Sequence, residues 1–168
     1  MYNYILALDP SGNFKEGKGT TGFILLSKDM DIIKLGEIKA ADFKSQGQYW
    51  DAHVDLIKDL YRYNMVLVVE DFILYSNKAK EQIGSSMETP QLLGVLKYFS
   101  YKQNIDIVFQ KAAAVKNRWK NEILEHKGFL KRTSKEGRYL MMPTGRTTND
   151  HVRDALRHAV HFGTFYNK

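Results

Sequence analysis

The sequence predicts an α/β domain: one five-stranded mixed sheet, three antiparallel strands then two parallel ones, flanked by helices. Three observations carry that expectation. Three short β-rich segments open the chain at close spacing. Two further apolar runs follow, each preceded by a stretch with helical periodicity, and an amphipathic helix closes the chain. With 168 residues, a single domain spanning 1–168 is expected, large enough for a proper core.

The opening strands are "YILALD" (4–9), "TGFILLSK" (21–28) and "DIIKLGEIKA" (31–40), the last two joined by a hairpin turn over "SKDMD". In "SQGQYWDAHVDLIKDLYRY", Trp50, Val54, Ile57 and Leu60 or Tyr61 recur at helical spacing. "NMVLVVED" is apolar without alternation, as in a parallel strand covered on both faces. Right-handed crossovers bring this fourth strand in beside the first. "SNKAKEQIGSSMETP" is polar and reads as a loop. "PQLLGVLKYFSYKQ" reads as a helix and "IDIVFQ" as a strand. "AAAVKNRWKNEILEHKG" reads as a helix with a possible break, and "FLKRTSKEGRYLMMPTGRT" as basic and irregular. The closing helix is expected from about Asn149 to Tyr166, capped by Asn149 or Asp150.

Composition narrows the function classes. With no cysteine, disulfides and thiolate metal sites are excluded. "MYNYILALDP" lacks the basic lead of a signal peptide, and no apolar run approaches a membrane span. A soluble, intracellular protein is expected, with no membrane partner. Net charge is +6, unevenly spread: residues 1–90 hold ten Lys/Arg against thirteen Asp/Glu, residues 91–168 fifteen against six. Such a basic half suits either a solvated surface or a polyanion such as nucleic acid.

Two strands end in acids, "ILALD" at Asp9 and "VLVVE" at Glu70. If those strands are parallel neighbours, both carboxylates leave the sheet at the same edge, where α/β sites form. At about 100° per residue, Val152, Leu156, Ala159 and Val160 share one arc of the last helix. His151, Asp154, Ala155 and His158 lie beside it, with Arg153, Arg157 and His161 on the far flank. In isolation Asp154 suits the helix dipole or a pairing with His158. Beside Asp9 and Glu70 it completes an oxygen-rich site for Mg²⁺ or Mn²⁺. Two such ions about 4 Å apart can activate a water and stabilise the leaving oxygen of a phosphodiester.

These residues resemble a known family. "ILALDPSG…GTTGF", "LVVED", "QLLGVLKYF", "AAAVK" and "HVRDALRHA" are similar, in order and over nearly the whole chain, to the motifs of RuvC-type Holliday junction resolvases. Those enzymes belong to the RNase H-like superfamily, and the short, divergent chain resembles their phage-encoded branch. The resemblance implies an RNase H-like fold and a homodimer. It further implies a metal-dependent DNA endonuclease that resolves four-way junctions by paired symmetric nicks, with two ions per site. Asp9, Glu70 and Asp154 would be ligands, Asp154 the catalytic acid of the last helix, and His151 a fourth contributor. The family often has Asp at that fourth place, so His151 shifts the expected preference toward Mn²⁺; Asp150 is the adjacent alternative. Lys116 matches the family's basic residue near the scissile phosphate, with Lys111 as second candidate.

The family places an aromatic shortly after the second acid, where this chain has Ile73 between Phe72 and Tyr75. Tyr75 is the better base-stacking candidate, and Phe72 is expected in the core. Arg118, Lys131, Arg132, Lys135, Arg138 and Arg146 are candidate phosphate contacts. "GKGTTG" resembles the phosphate turns of actin-like ATPases, but it lies too far from Asp9 and lacks a second lobe. It reads as a β-turn, with Gly22 allowing a close backbone approach, and no nucleotide cofactor is expected. Two other readings stand: a nuclease for flaps, forks, packaging DNA or structured RNA, and a non-catalytic module that binds branched nucleic acid.

Overall fold

The structure, a computed structural model, describes residues 1–73, 87–135 and 137–167. The strands β1 (Tyr4–Asp9), β2 (Thr20–Ser27), β3 (Ile32–Lys39), β4 (Met65–Asp71) and β5 (Asp106–Lys111) form one sheet in the order β3-β2-β1-β4-β5. β1 runs antiparallel to β2 and parallel to β4, and β5 extends the parallel half. The mixed five-stranded sheet expected from the sequence is therefore present. Strand alternation sorts the side chains onto two faces. Ile5, Ala7, Ile24, Leu26, Val66 and Val68 face one layer, and Leu6, Leu8, Phe23, Leu25, Leu67 and Val69 the other. By the same period Asp9, Gly22, Glu70 and Gln110 point to the first face and Thr21 to the second.

The second face is covered by α1 (Gln46–Leu60) and α2 (Glu88–Gln103). The buried stripe of α1 is Tyr49, His53, Ile57 and Leu60, one residue out of step with the expected Trp50 and Val54, which are only partly covered. Hydrogen bonding explains the shift. Tyr49 OH donates to the Ser11 carbonyl at 2.7 Å, and His53 meets Thr21 Oγ1 at 2.8 Å. Helix α2 begins at Glu88, ahead of Pro90, which is tolerated in a first turn because that N–H has no helical partner. Residues 88 and 89 thus belong to the helix and not to the polar loop.

The first face carries α3 (Ala112–Arg118), α4 (Asn121–His126) and α5 (Asp150–Phe165). The segment read as a helix with a possible break is indeed interrupted, at Trp119 and Lys120. The stretch read as irregular instead holds β6 (Leu130–Arg132), β7 (Tyr139–Met141) and β8 (Arg146–Thr148), a separate antiparallel sheet. Each strand is three residues long, too short for a period to register, yet Leu130, Tyr139 and Met141 join the core under α5. Asn149 caps α5, its Oδ1 accepting from Val152 N at 2.9 Å. Among the described residues no helix is long and apolar enough to cross a membrane.

Candidate metal centre

The β1–β4 register sets Leu8 beside Val69, so Asp9 and Glu70 emerge side by side. Helix α5 must then bring Asp154 to them, and Gly22 makes this possible. It pairs with Asp9 across β1–β2, and a Cβ there would lie 2.2 Å from the His151 carbonyl carbon and 2.4 Å from Val152 N. Only hydrogen at this position lets the first turn of α5 rest on the sheet. Asp9, Glu70 and Asp154 each offer a carboxylate oxygen, and these lie within 4.8 Å of one another. They line a cleft of about 360 Å³ together with Ser11, Phe72, Ile73, Thr89, Lys116, Asp150 and His151.

Each acid is held by its own partners. His151 Nδ1 lies 2.7 Å from Asp9 Oδ2. Lys116 Nζ donates to Asp154 Oδ2 at 2.7 Å and to Glu70 Oε2 at 3.0 Å. Arg157 pairs with Asp154 and also bonds Asn121 and, at 2.8 Å, the Trp119 carbonyl. His158 is fully buried, its Nε2 2.9 Å from Glu70 Oε2 and its Nδ1 2.9 Å from Gln110 Oε1. Burial pushes the Asp9 carboxyl up, the His151 hydrogen bond pulls against it, and the Glu70 charge adds to the rise, leaving about 6. Burial also acts upward on Glu70, but His158 and Lys116 outweigh it and hold that carboxyl at about 2. For Lys116, burial favours the neutral amine, and the Asp154 and Glu70 carboxylates override it and raise the pKa. His151 is raised chiefly by its bond to Asp9.

This donor set fits a hard divalent cation. The acids are oxygen ligands, and the Lys116 ammonium between two of them stands in for the positive charge they require. Gly17 and Gly19 form the turn into β2, as expected of a β-turn, and Thr21 is buried. Of the residues singled out in the sequence, Asp9, Glu70, His151, Asp154 and Lys116 are brought together. Lys111 stays exposed at the end of β5, one residue past Gln110 and so on the opposite face. Arg118 stacks on the Phe165 ring at 4.2 Å, at the other end of α5 from the acids. Asp150 pairs with Arg153. Phe72 packs on the core while also lining the cleft, and Tyr75 lies outside the described residues.

The small sheet carries Lys131, Arg132 and Arg146, and Arg138 immediately precedes β7. Arg132 is engaged with the Tyr139 hydroxyl at 3.1 Å. Arg138 and Arg146, with Lys39, line a second groove of about 710 Å³ that shares His151 with the first. The residues missed in the sequence are Arg157, His158 and Gln110. Arg153 and Arg157 belong to the flank opposite the sheet, yet both turn back, Arg153 being buried against Thr148 and Tyr139.

No family model and no curated relative matches the chain in sequence. Solved structures do match in shape. Thermus thermophilus RuvC in complex with a Holliday junction substrate superposes at a TM-score of 0.67 with 13% identity, covering 98% of this chain and 94% of that one. A second T. thermophilus RuvC structure gives 0.62 with 12% identity over 98% and 95%. The chain has the RuvC fold. Similarity reaches end to end, so the acid-bearing edges of β1 and β4 and the start of α5 lie within the shared RuvC architecture.

Proposed function

We propose that this protein is a divalent-metal-dependent, structure-selective DNA endonuclease that resolves four-way junctions. The observation that carries the reading is the meeting of Asp9, Glu70 and Asp154 around Lys116 within a RuvC fold. Asp9, Glu70 and Asp154 would hold Mg²⁺ or Mn²⁺, two ions per centre, with His151 fixing Asp9 and contributing a fourth donor. Bound there, such ions supply Lewis acidity toward water and the scissile phosphate. Lys116, its ammonium no longer needed between the acids, is free to pair with the phosphate and stabilise the charge that develops on it. Arg157 keeps Asp154 aimed into the cleft. Arg138 and Arg146 border the groove beside the acidic centre, and with Lys131 and Arg132 they would supply the positive charge that draws in a phosphate backbone. Paired cuts across a two-fold junction call for two such centres, hence a symmetric homodimer. A non-catalytic module is the weaker reading, since three acids facing a phosphate are unfavourable without cations.

The test is incubation with a mobile-core four-way junction in Mg²⁺ and then Mn²⁺, mapping nicks on every strand. Three-way, flap and RNA substrates alongside separate junction resolution from the same chemistry on other branched nucleic acids. Asp154→Asn is expected to abolish cleavage while leaving junction affinity within a few-fold of wild type. Undiminished nicking by the purified variant would remove Asp154 from its assigned role.

A further inference from the structure

We propose that His158 and Gln110 form a positioning pair that fixes Glu70 and so governs how tightly the centre holds divalent ions. Neither residue reaches the cleft. Gln110 faces the same layer as Glu70 because the two are register partners across β4–β5. His158 stands one turn beyond Asp154 on α5, at 0% exposure, and spans the pair with 2.9 Å contacts to both. Val68, Ala155 and Ala159 belong to the same buried layer. Two aliphatic side chains would fill this space without needing hydrogen-bond partners. A polar pair here is explained by what it holds.

Lys116 also binds Glu70, but its ammonium competes with any cation for the same carboxylates, and its side chain is 35% exposed. His158 cannot withdraw in that way, being fully buried between α5 and the sheet. It is therefore the contact that keeps Glu70 in place when a cation replaces the ammonium. The Gln110 amide anchors the ring through its other nitrogen. Its Nε2 is buried without a partner when Oε1 faces the ring. Whichever way the amide is turned, Gln110 engages His158 Nδ1 and leaves Nε2 directed at Glu70. Ligands oriented in this manner bind their metals more tightly, because less side-chain freedom is lost on binding.

The inference rests on the metal-centre reading, and the experiment separates the two. Mn²⁺ binding is measured by titration calorimetry on wild type, His158→Phe, Gln110→Leu and His158→Gln, each first checked by circular dichroism and melting without metal. We expect wild type to bind. His158→Phe should loosen Mn²⁺ by about ten- to a hundredfold, Gln110→Leu by less, and His158→Gln, which keeps a donor, should recover most of the affinity. In a Glu70→Ala background His158→Phe should cost nothing further, because the pair acts through Glu70. A wild type that binds no Mn²⁺ overturns the metal centre and this inference with it. A binding wild type with a folded His158→Phe of equal affinity overturns the positioning pair alone, as does an equal loss in the Glu70→Ala background. If His158→Phe fails to fold, Gln110→Leu decides. Wild-type affinity in that variant overturns the pair, and a loss that vanishes in the Glu70→Ala background upholds it.

Discussion

Single residues decide whether the acids meet. Gly22 is the clearest, since the backbone of α5 lies where its Cβ would be. In Gly22→Ala the helix must lift, which is expected to cost about 2–3 kcal/mol, or about 5–10 °C in melting temperature for a domain of this size. Mn²⁺ affinity should fall with it; calorimetry and a thermal melt on one preparation would reveal an unshifted variant if the packing argument is wrong. Asp9 and Glu70 were legible as strand ends because each closes an unbroken apolar run, which is a local property of the sequence. His158 was not, because its role depends on Gln110, whose place beside Glu70 is fixed by strand pairing and not by sequence distance. Arg157 was missed for a different reason: a helical wheel locates a Cβ, and a long guanidinium side chain can double back from it.

At the scale of elements, α1 has a second buried network behind the centre. His53 Nδ1 donates to the Tyr49 carbonyl at 2.7 Å, Nε2 meets Thr21 Oγ1, and Ser11 N donates to the same hydroxyl at 3.3 Å. The loop leaving Asp9 is thus tied to α1. Burial holds His53 down at about 4, so between roughly pH 6.5 and 4 the unfolded chain takes up a proton that the folded one refuses. Stability from this group is complete above that window and is lost as pH falls through it, by on the order of 3 kcal/mol in all. Urea unfolding at pH 7.5 and pH 5 should show the loss, and His53→Gln should flatten it; an equal slope in both proteins would refute the assignment. The apolar period of α1 was visible in the sequence, but its phase was set by polar partners on other elements. Strands β6 to β8 escaped for lack of length.

For the whole molecule, charge and fold divide the labour. The acids sit in one cleft, while Arg138, Arg146 and Lys39 border the adjoining groove. If these arginines each neutralise a phosphate, Arg138→Ala with Arg146→Ala should reduce the steepness of log affinity against log salt by about 1.8. Sequence preference should be untouched, since phosphate contacts position and do not read bases. Filter binding across a salt series checks this, and an unchanged slope would show that DNA takes another path. The lopsided charge was readable from composition. Which cations border the cleft was not, because Arg118 and Lys111 are equally basic and the fold turns them elsewhere.

The centre is also divided along the polypeptide. Asp9 and Glu70 precede α2, whereas Lys116, Asp154 and the histidines of α5 all follow it. A protein severed between β4 and α2 would leave two acids on an anionic piece and the remaining ligand on a strongly cationic one. Neither piece alone could assemble the trio, while opposite charge would draw the two back together. Mixing such fragments should therefore restore Mn²⁺ binding that neither shows alone.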